Sequence, residues 1–152
     1  MAGCAAVDWT APEFDDTGWA LGRAPLGYGE DDLETIIDPG APEARVRTVW
    51  ARAGFELDSA PGSAYLRLRV DDGARVFVNG AEQTRVNLPA GDIGADTLAT
   101  TVVGGDAEAA WTHVEVESSV LRTGSNVVAV DVHQATPSSE DLVLDLGFYV
   151  RD

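Results

Sequence analysis

Two adjacent carboxylates, Asp71 and Asp72, stand before Gly73 in the run LRLRVDDGARVFVNGAEQTRV from Leu66 to Val86. Paired carboxylates in a tight turn can chelate a hard cation such as calcium, which takes about 6–8 oxygen ligands. Asp71 and Asp72 would therefore need help, which Asp15-Asp16 or Glu30-Asp31-Asp32 could supply. The competing reading is conformational: Asp starts a turn, bonds its own backbone and yields to Gly where φ turns positive. Asp131 and His133 lie two apart in Val127 to His133, so on a strand both project from one face. Such a pair can orient an imidazole for proton transfer or hold a sugar hydroxyl. Equally, His133 can be a buried histidine bonded to the loop at 137–141, and His113, the only other histidine, sits too far away in sequence to suggest a metal pair.

Trp50, Trp111 and Tyr28 are the aromatics expected to offer a flat face on which a sugar ring stacks its C–H bonds, while Trp9 and Trp19 are assigned to the core. Trp50 has an alternative task, sealing the segment before it against a sheet. Nucleophilic catalysis finds no support. The chain holds no Gly-x-Ser-x-Gly elbow, no His-Glu-x-x-His, no Cys-x-x-Cys and no lysine for a phosphate loop. A non-enzymatic chain is expected, requiring no cofactor, with calcium as the one ion the residues suggest.

Strands must position these groups. Leu66, Leu68 and Val70 alternate, as do Val76 and Val78, and strict alternation marks a strand with one buried face. Asn79-Gly80 is the dipeptide that most readily forms a type I′ hairpin turn. The whole run thus reads as a meander, with Asp71-Asp72-Gly73 at one hairpin corner. Val49 to Leu57 alternates with Trp50, Arg52 and Glu56 facing away from the core side, and Trp111 to Val116, Val127 to His133 and Leu142 to Val150 follow. Residues 8–44, rich in Gly, Pro and Asp, read as an irregular wrap anchored by Trp9, Phe14, Trp19 and Tyr28. The polar stretch Asn87 to Ala110 is too long for a plain connection, so it holds a short strand near Thr97 to Val103 or forms binding loops. A helical turn is expected near Ser118 to Leu121. About eight short strands between turn signals predict an all-β antiparallel sandwich.

At 152 residues the chain is one domain, read as a flexible segment over 1–7 and a sandwich over 8–152. The single Cys4 excludes an internal disulfide. A net charge of −16, from 26 carboxylates against 10 arginines, repels nucleic acid and anionic membrane. No apolar run approaches the roughly 20 residues of a membrane helix, and the first residues carry no signal-peptide pattern. The expectation is a monomer that neither binds nucleic acid nor inserts in a membrane.

The ordered motifs Phe14-Asp15-Asp16-Thr17-Gly18-Trp19, Ala24-Pro25-Leu26-Gly27-Tyr28-Gly29, Val70-Asp71-Asp72-Gly73, Val78-Asn79-Gly80, Gly124-Ser125-Asn126-Val127-Val128-Ala129-Val130-Asp131-Val132-His133-Gln134 and Ser138-Ser139-Glu140-Asp141-Leu142 span nearly the whole chain. Together they resemble the galactose-binding-like jelly-roll domains, above all those attached to secreted bacterial metallophosphoesterases and related extracellular multidomain proteins. Parts also look like the jelly rolls of β-galactosidases and β-glucuronidases. The resemblance implies a non-catalytic accessory module, extracellular or in the cell envelope, within a longer chain. Its partner would be a glycan or the adjacent catalytic domain of the same chain. The similarity of Asp71-Asp72-Gly73 to flocculin-type lectins implies a third role, calcium-dependent adhesion. The ligand-binding candidates are Trp50, Asp72, Trp111, Asp131 and His133, and the metal candidates are Asp71 and Asp72.

Overall fold

A computed structural model describes residues 8–151, and the segment 1–7 with Cys4 lies outside them. Nine strands run through the described residues: β1 (Leu26–Tyr28), β2 (Thr35–Ile36), β3 (Thr48–Leu57), β4 (Ser63–Asp71), β5 (Gly73–Val78), β6 (Ala81–Val86), β7 (Thr112–Val116), β8 (Gly124–His133) and β9 (Leu142–Arg151). They form two sheets, β2-β1-β9-β4-β7 and β3-β8-β5-β6, with every pairing antiparallel except β1 with β2. The protein is an all-β sandwich. Among the described residues no helix is long and apolar enough to cross a membrane.

The period-2 patterns explain the layers. Leu66 and Leu68 of β4 and Leu142 and Leu144 of β9 face Val76 and Val78 of β5 and Val128, Val130 and Val132 of β8, and all are buried. Burying such side chains contributes on the order of 1.5–3 kcal/mol each. Phe55 on β3 and Phe148 on β9 meet across the two sheets with ring centroids 4.4 Å apart, closing the core at one end.

The meander expected over Leu66 to Val86 is only half present. Asn79 and Gly80 take φ of 50° and 86° and join β5 to β6 as an antiparallel hairpin. β4 and β5, however, belong to different sheets. Only Asp72 separates them, and one residue cannot reverse a strand into a paired hairpin. Asp71-Asp72-Gly73 is therefore the corner at which the chain passes from one sheet to the other.

The wrapping segment carries two short strands, β1 and β2, at the edge of the first sheet. Trp9 and Trp19 are not core residues. Trp9 packs edge-on against Trp50 and Phe77, at centroid distances of 6.5 and 5.7 Å, on the outer face of the second sheet, and Trp19 packs against Phe14 at 5.6 Å. Tyr28, expected to present a face, is instead 2% exposed inside the sandwich, its ring joined to the core cluster. Thr97 to Val103 forms no strand, whereas a single 3₁₀ turn does occupy Ser118–Val120.

Candidate functional site

Register and alternation bring Asp131 and His133 to the outer face of the second sheet, opposite the buried valines of β8. There Asp131 stands beside Arg75 of β5. Arg75 donates from its backbone N–H at 3.1 Å and from Nε at 3.1 and 3.2 Å to the two carboxylate oxygens, and its Nη2 completes a fork. His133 Nε2 lies 3.3 Å from the same carboxylate. Its Nδ1 meets the Thr48 hydroxyl at 3.1 Å and the Thr97 carbonyl at 2.8 Å. Burial pushes the Asp131 carboxyl up, but His133 and Arg75 on its oxygens outweigh that and hold it below the ordinary carboxylate value. Arg75 thus occupies both acidic oxygens, while His133 Nε2, close to one of them, makes no hydrogen bond.

At the corner between sheets, Asp72 spends both carboxylate oxygens on backbone. Oδ1 accepts from Val103 N–H at 2.6 Å and Oδ2 from Ala135 N–H at 2.7 Å, so one residue ties down the 87–110 stretch and the loop after β8. Asn87 completes the anchorage: its Nδ2 donates to the carbonyls of Asp72 and Thr101 at 3.1 and 2.7 Å. Asp71 is as buried as Asp72 but finds no partner for its Oδ1. Burial first, then the neighbouring Asp72 carboxylate, pushes its pKa up to about 8.

Trp111 is half-buried beside β7, and the Arg67 guanidinium lies over its ring at 3.9 Å. That stacking occupies one aromatic face. Trp50 differs: it is 42% exposed. With Trp19 it walls an open cleft of about 610 Å³ where the free edge of β3 stands away from β1 and β2. Leu21, Leu26 and Ile37 supply apolar lining, while Asp16, Thr35 and Arg52 add polar groups. A smaller recess of about 140 Å³, bounded by Gly22, Ala24, Ala51 and Val130, continues inward between the sheets.

Arg52 builds this wall and was not foreseen as important. Its side chain is 3% exposed; Nε donates to Asp16 Oδ2 at 2.8 Å, and Nη1 donates to the carbonyls of Trp9 and of Ala11, the latter at 3.1 Å. One arginine thus pins the N-terminal wrap across the outer face of the second sheet. Its outward place in the β3 alternation was legible, but the distant carbonyls it would reach were not.

The structure therefore separates the residues singled out from the sequence. Asp131 and His133 sit in the Arg75 network, Asp72 anchors loops, Trp111 lies under Arg67, and Trp50 alone lines an open cleft. A further group assembles where the end of β1, the 104–110 loop and the start of β9 meet. Glu30, Glu108 and Asp141 place one carboxylate oxygen each within 4.8 Å of one another. Gly29 allows this approach: at its φ of 84°, a Cβ would lie 2.3 Å from the Glu140 carbonyl and 2.6 Å from Asp141 Cα.

No family model and no curated protein matches this sequence. Among solved structures, a glycosyl hydrolase family 2 member from Bacteroides cellulosilyticus is similar over 93% of this chain and 19% of its own, with 17% identity and a TM-score of 0.49. An alpha-L-rhamnosidase from Dictyoglumus thermophilum is similar over 83% of this chain and 14% of its own, with 15% identity and a TM-score of 0.41. The chain thus spans less than a fifth of the length of either structure.

Proposed function

We propose that this chain is a non-catalytic accessory module that recognises carbohydrate at the cleft beside β3, within a longer secreted protein. The supporting observation is the cleft itself: an exposed Trp50 face and a Trp19 wall, with Asp16, Thr35 and Arg52 beside them. Its volume of about 610 Å³ falls in the range of small-ligand sites, roughly 300–1,000 Å³. A pyranose stacks its C–H bonds on an indole and directs hydroxyls to flanking polar groups, and this lining offers the Trp50 indole and the half-exposed Asp16 carboxylate. The net charge of −16 favours a neutral glycan over an acidic one. The secreted, multidomain setting is the one the motif resemblance implies.

A broad array of neutral and uronic-acid glycans, followed by calorimetry on any hit, tests the reading. Binding should be lost in Trp50→Ala, which removes the contact with Trp9 and so lowers the melting temperature by a few degrees without unfolding the chain at the temperature of the assay. Silence across the array, with and without calcium, would end it.

A second reading has its own support. Leu21 and Ile36 are 101% and 78% exposed near the same edge, as expected of a surface that packs on a neighbouring catalytic domain. Under that reading, Leu21→Asp with Ile36→Asp would weaken docking to the adjacent domain and lower its melting temperature. An indifferent neighbour would exclude it.

A further inference from the structure

The recess that opens off the β3 cleft differs from it in chemistry. On the inward face of β3, Val49 and Phe55 pack against the core, while Ala51 and Ala53 between them carry only a methyl group. Ala51 stands opposite Val130 and Ala53 opposite Val128 on β8, and in the other sheet Leu26 stands opposite Leu144. The gap left by the two short side chains is the recess of about 140 Å³, floored by the buried Val128, Val130 and Leu144. Leu26, Ala51 and Ala53 also belong to the wall of the cleft, so the two spaces form one continuous hollow.

The outer lip of the recess is held in place. A Cβ at Gly22 would lie 2.8 Å from Thr35 Cγ2, and the Thr35 hydroxyl accepts from Arg23 N–H at 2.7 Å and donates to the Arg23 carbonyl at 2.8 Å. Residues 22–24 are thus fastened to β2 and do not collapse into the gap. Arg52 is the one polar side chain in the lining, and its Nε and Nη1 are spent on Asp16 and on the carbonyls of Trp9 and Ala11. A buried water needs about 2–4 polar partners, whereas an apolar cavity of roughly 150 Å³ stays dry and accepts benzene. A hollow of this size and lining therefore suits one benzene-sized apolar group and is too small for a long acyl chain.

We infer that the recess receives the aglycone of the ligand: the module binds a neutral glycoside whose benzene-sized apolar group enters between the sheets while its sugar stacks on Trp50. The inference rests on the carbohydrate reading for the sugar and adds the aglycone to it. A ligand that fills both spaces must be amphiphilic, because the cleft offers an indole face and the Asp16 carboxylate, and the recess offers Ala, Val and Leu side chains. A sugar without an apolar substituent would leave that buried lining without partner atoms.

The test is calorimetry of the chain with matched pairs of probes, the methyl and the benzyl pyranosides of glucose, galactose and mannose. For at least one sugar the benzyl glycoside should bind at least tenfold more tightly than its methyl counterpart, and it alone should shift the methyl NMR signals of Val130 and Leu144. Val130 and Leu146 line the recess and not the cleft, so Val130→Leu and Leu146→Phe each fill it from a different sheet. Either variant should abolish the benzyl advantage and leave the affinity for the methyl glycoside unchanged. Should one of them fail to fold, the other variant and the wild-type NMR shifts still decide. Equal affinities within every pair would overturn the proposal and leave the carbohydrate reading standing. A benzyl advantage that survives both variants would also overturn it, by placing the ring on exposed aromatic surface. Binding of no probe at all would overturn it too, and the glycan array then decides separately whether the carbohydrate reading falls with it.

Discussion

Asp131 and Asp71 are equally buried, each 1% exposed, yet they meet opposite surroundings. Asp131 lies between Arg75 and His133 and is held ionised; Asp71 has Asp72 beside it, Asp141 and Glu108 beyond, and no cation on its oxygens. Burial disfavours charge at both places, so the partner decides the outcome. A compensated carboxylate behaves as structure. An uncompensated one keeps a free acceptor, as Asp71 does at Oδ1. The same contrast separates Trp111, covered by Arg67, from Trp50, whose face remains open.

Breaking the compensated network should have the largest effect. Asp131→Ala leaves Arg75 and His133 facing a void and should destabilise the fold by about 3–5 kcal/mol in urea unfolding, the range for removing one partner of a buried ion pair. A loss under 1 kcal/mol would mean the network is looser than its geometry. Asp72→Ala comes next, since it orphans the N–H groups of Val103 and Ala135. About 2–4 kcal/mol should be lost, and hydrogen exchange should quicken at those two amides first.

Asp71→Asn should act in the other direction and depend on pH. With its pKa raised to about 8 from an unfolded value near 3.8, folded Asp71 keeps its proton where the unfolded chain has released it. Its stabilising effect is complete below about pH 4 and disappears as pH rises through about 8. Asp71→Asn should therefore gain on the wild type between pH 5 and pH 9. The gain should be on the order of 1–3 kcal/mol, each tenfold change in proton affinity being worth about 1.4 kcal/mol. Parallel stability curves for the two proteins would show Asp71 to be ionised throughout. The smallest effect belongs to Trp111→Ala, which removes a partly exposed cation–π contact with Arg67 and should cost about 0.5–1 kcal/mol.

Much of the sandwich was legible because alternation is local. Leu66, Leu68, Val76 and Val78 declare their buried faces, and Asn79-Gly80 declares its turn. Strand partnership is not local, and that is where the reading of Asp71-Asp72-Gly73 as a hairpin failed. β4 pairs with β9, about seventy residues onward, and with β7, and nothing in the pattern of β4 names either neighbour. Tryptophan type likewise announced that Trp9 and Trp19 seek contact, but not that the contact lies on the outer face of a sheet. Asp131 and His133 were correctly placed on one face of β8, whereas Arg75 became their partner only through the register of β5. The acidic trio was legible only in pieces. Glu30 belonged to a visible acidic run, but Glu108 and Asp141 come from loops whose path is set by Asp72, Asn87 and Gly29.

The central claim is that the open aromatic cleft at the β3 edge is where this module meets a glycan. Its most direct test is a calorimetric comparison of the wild-type chain with Trp50→Ala against the strongest ligand from a glycan array. The account predicts saturable binding by the wild type and at least a tenfold loss in Trp50→Ala, in a variant that still unfolds cooperatively well above the temperature of the measurement although its contact with Trp9 is gone. Equal affinity in the two proteins, or no glycan bound by the wild type, would contradict it.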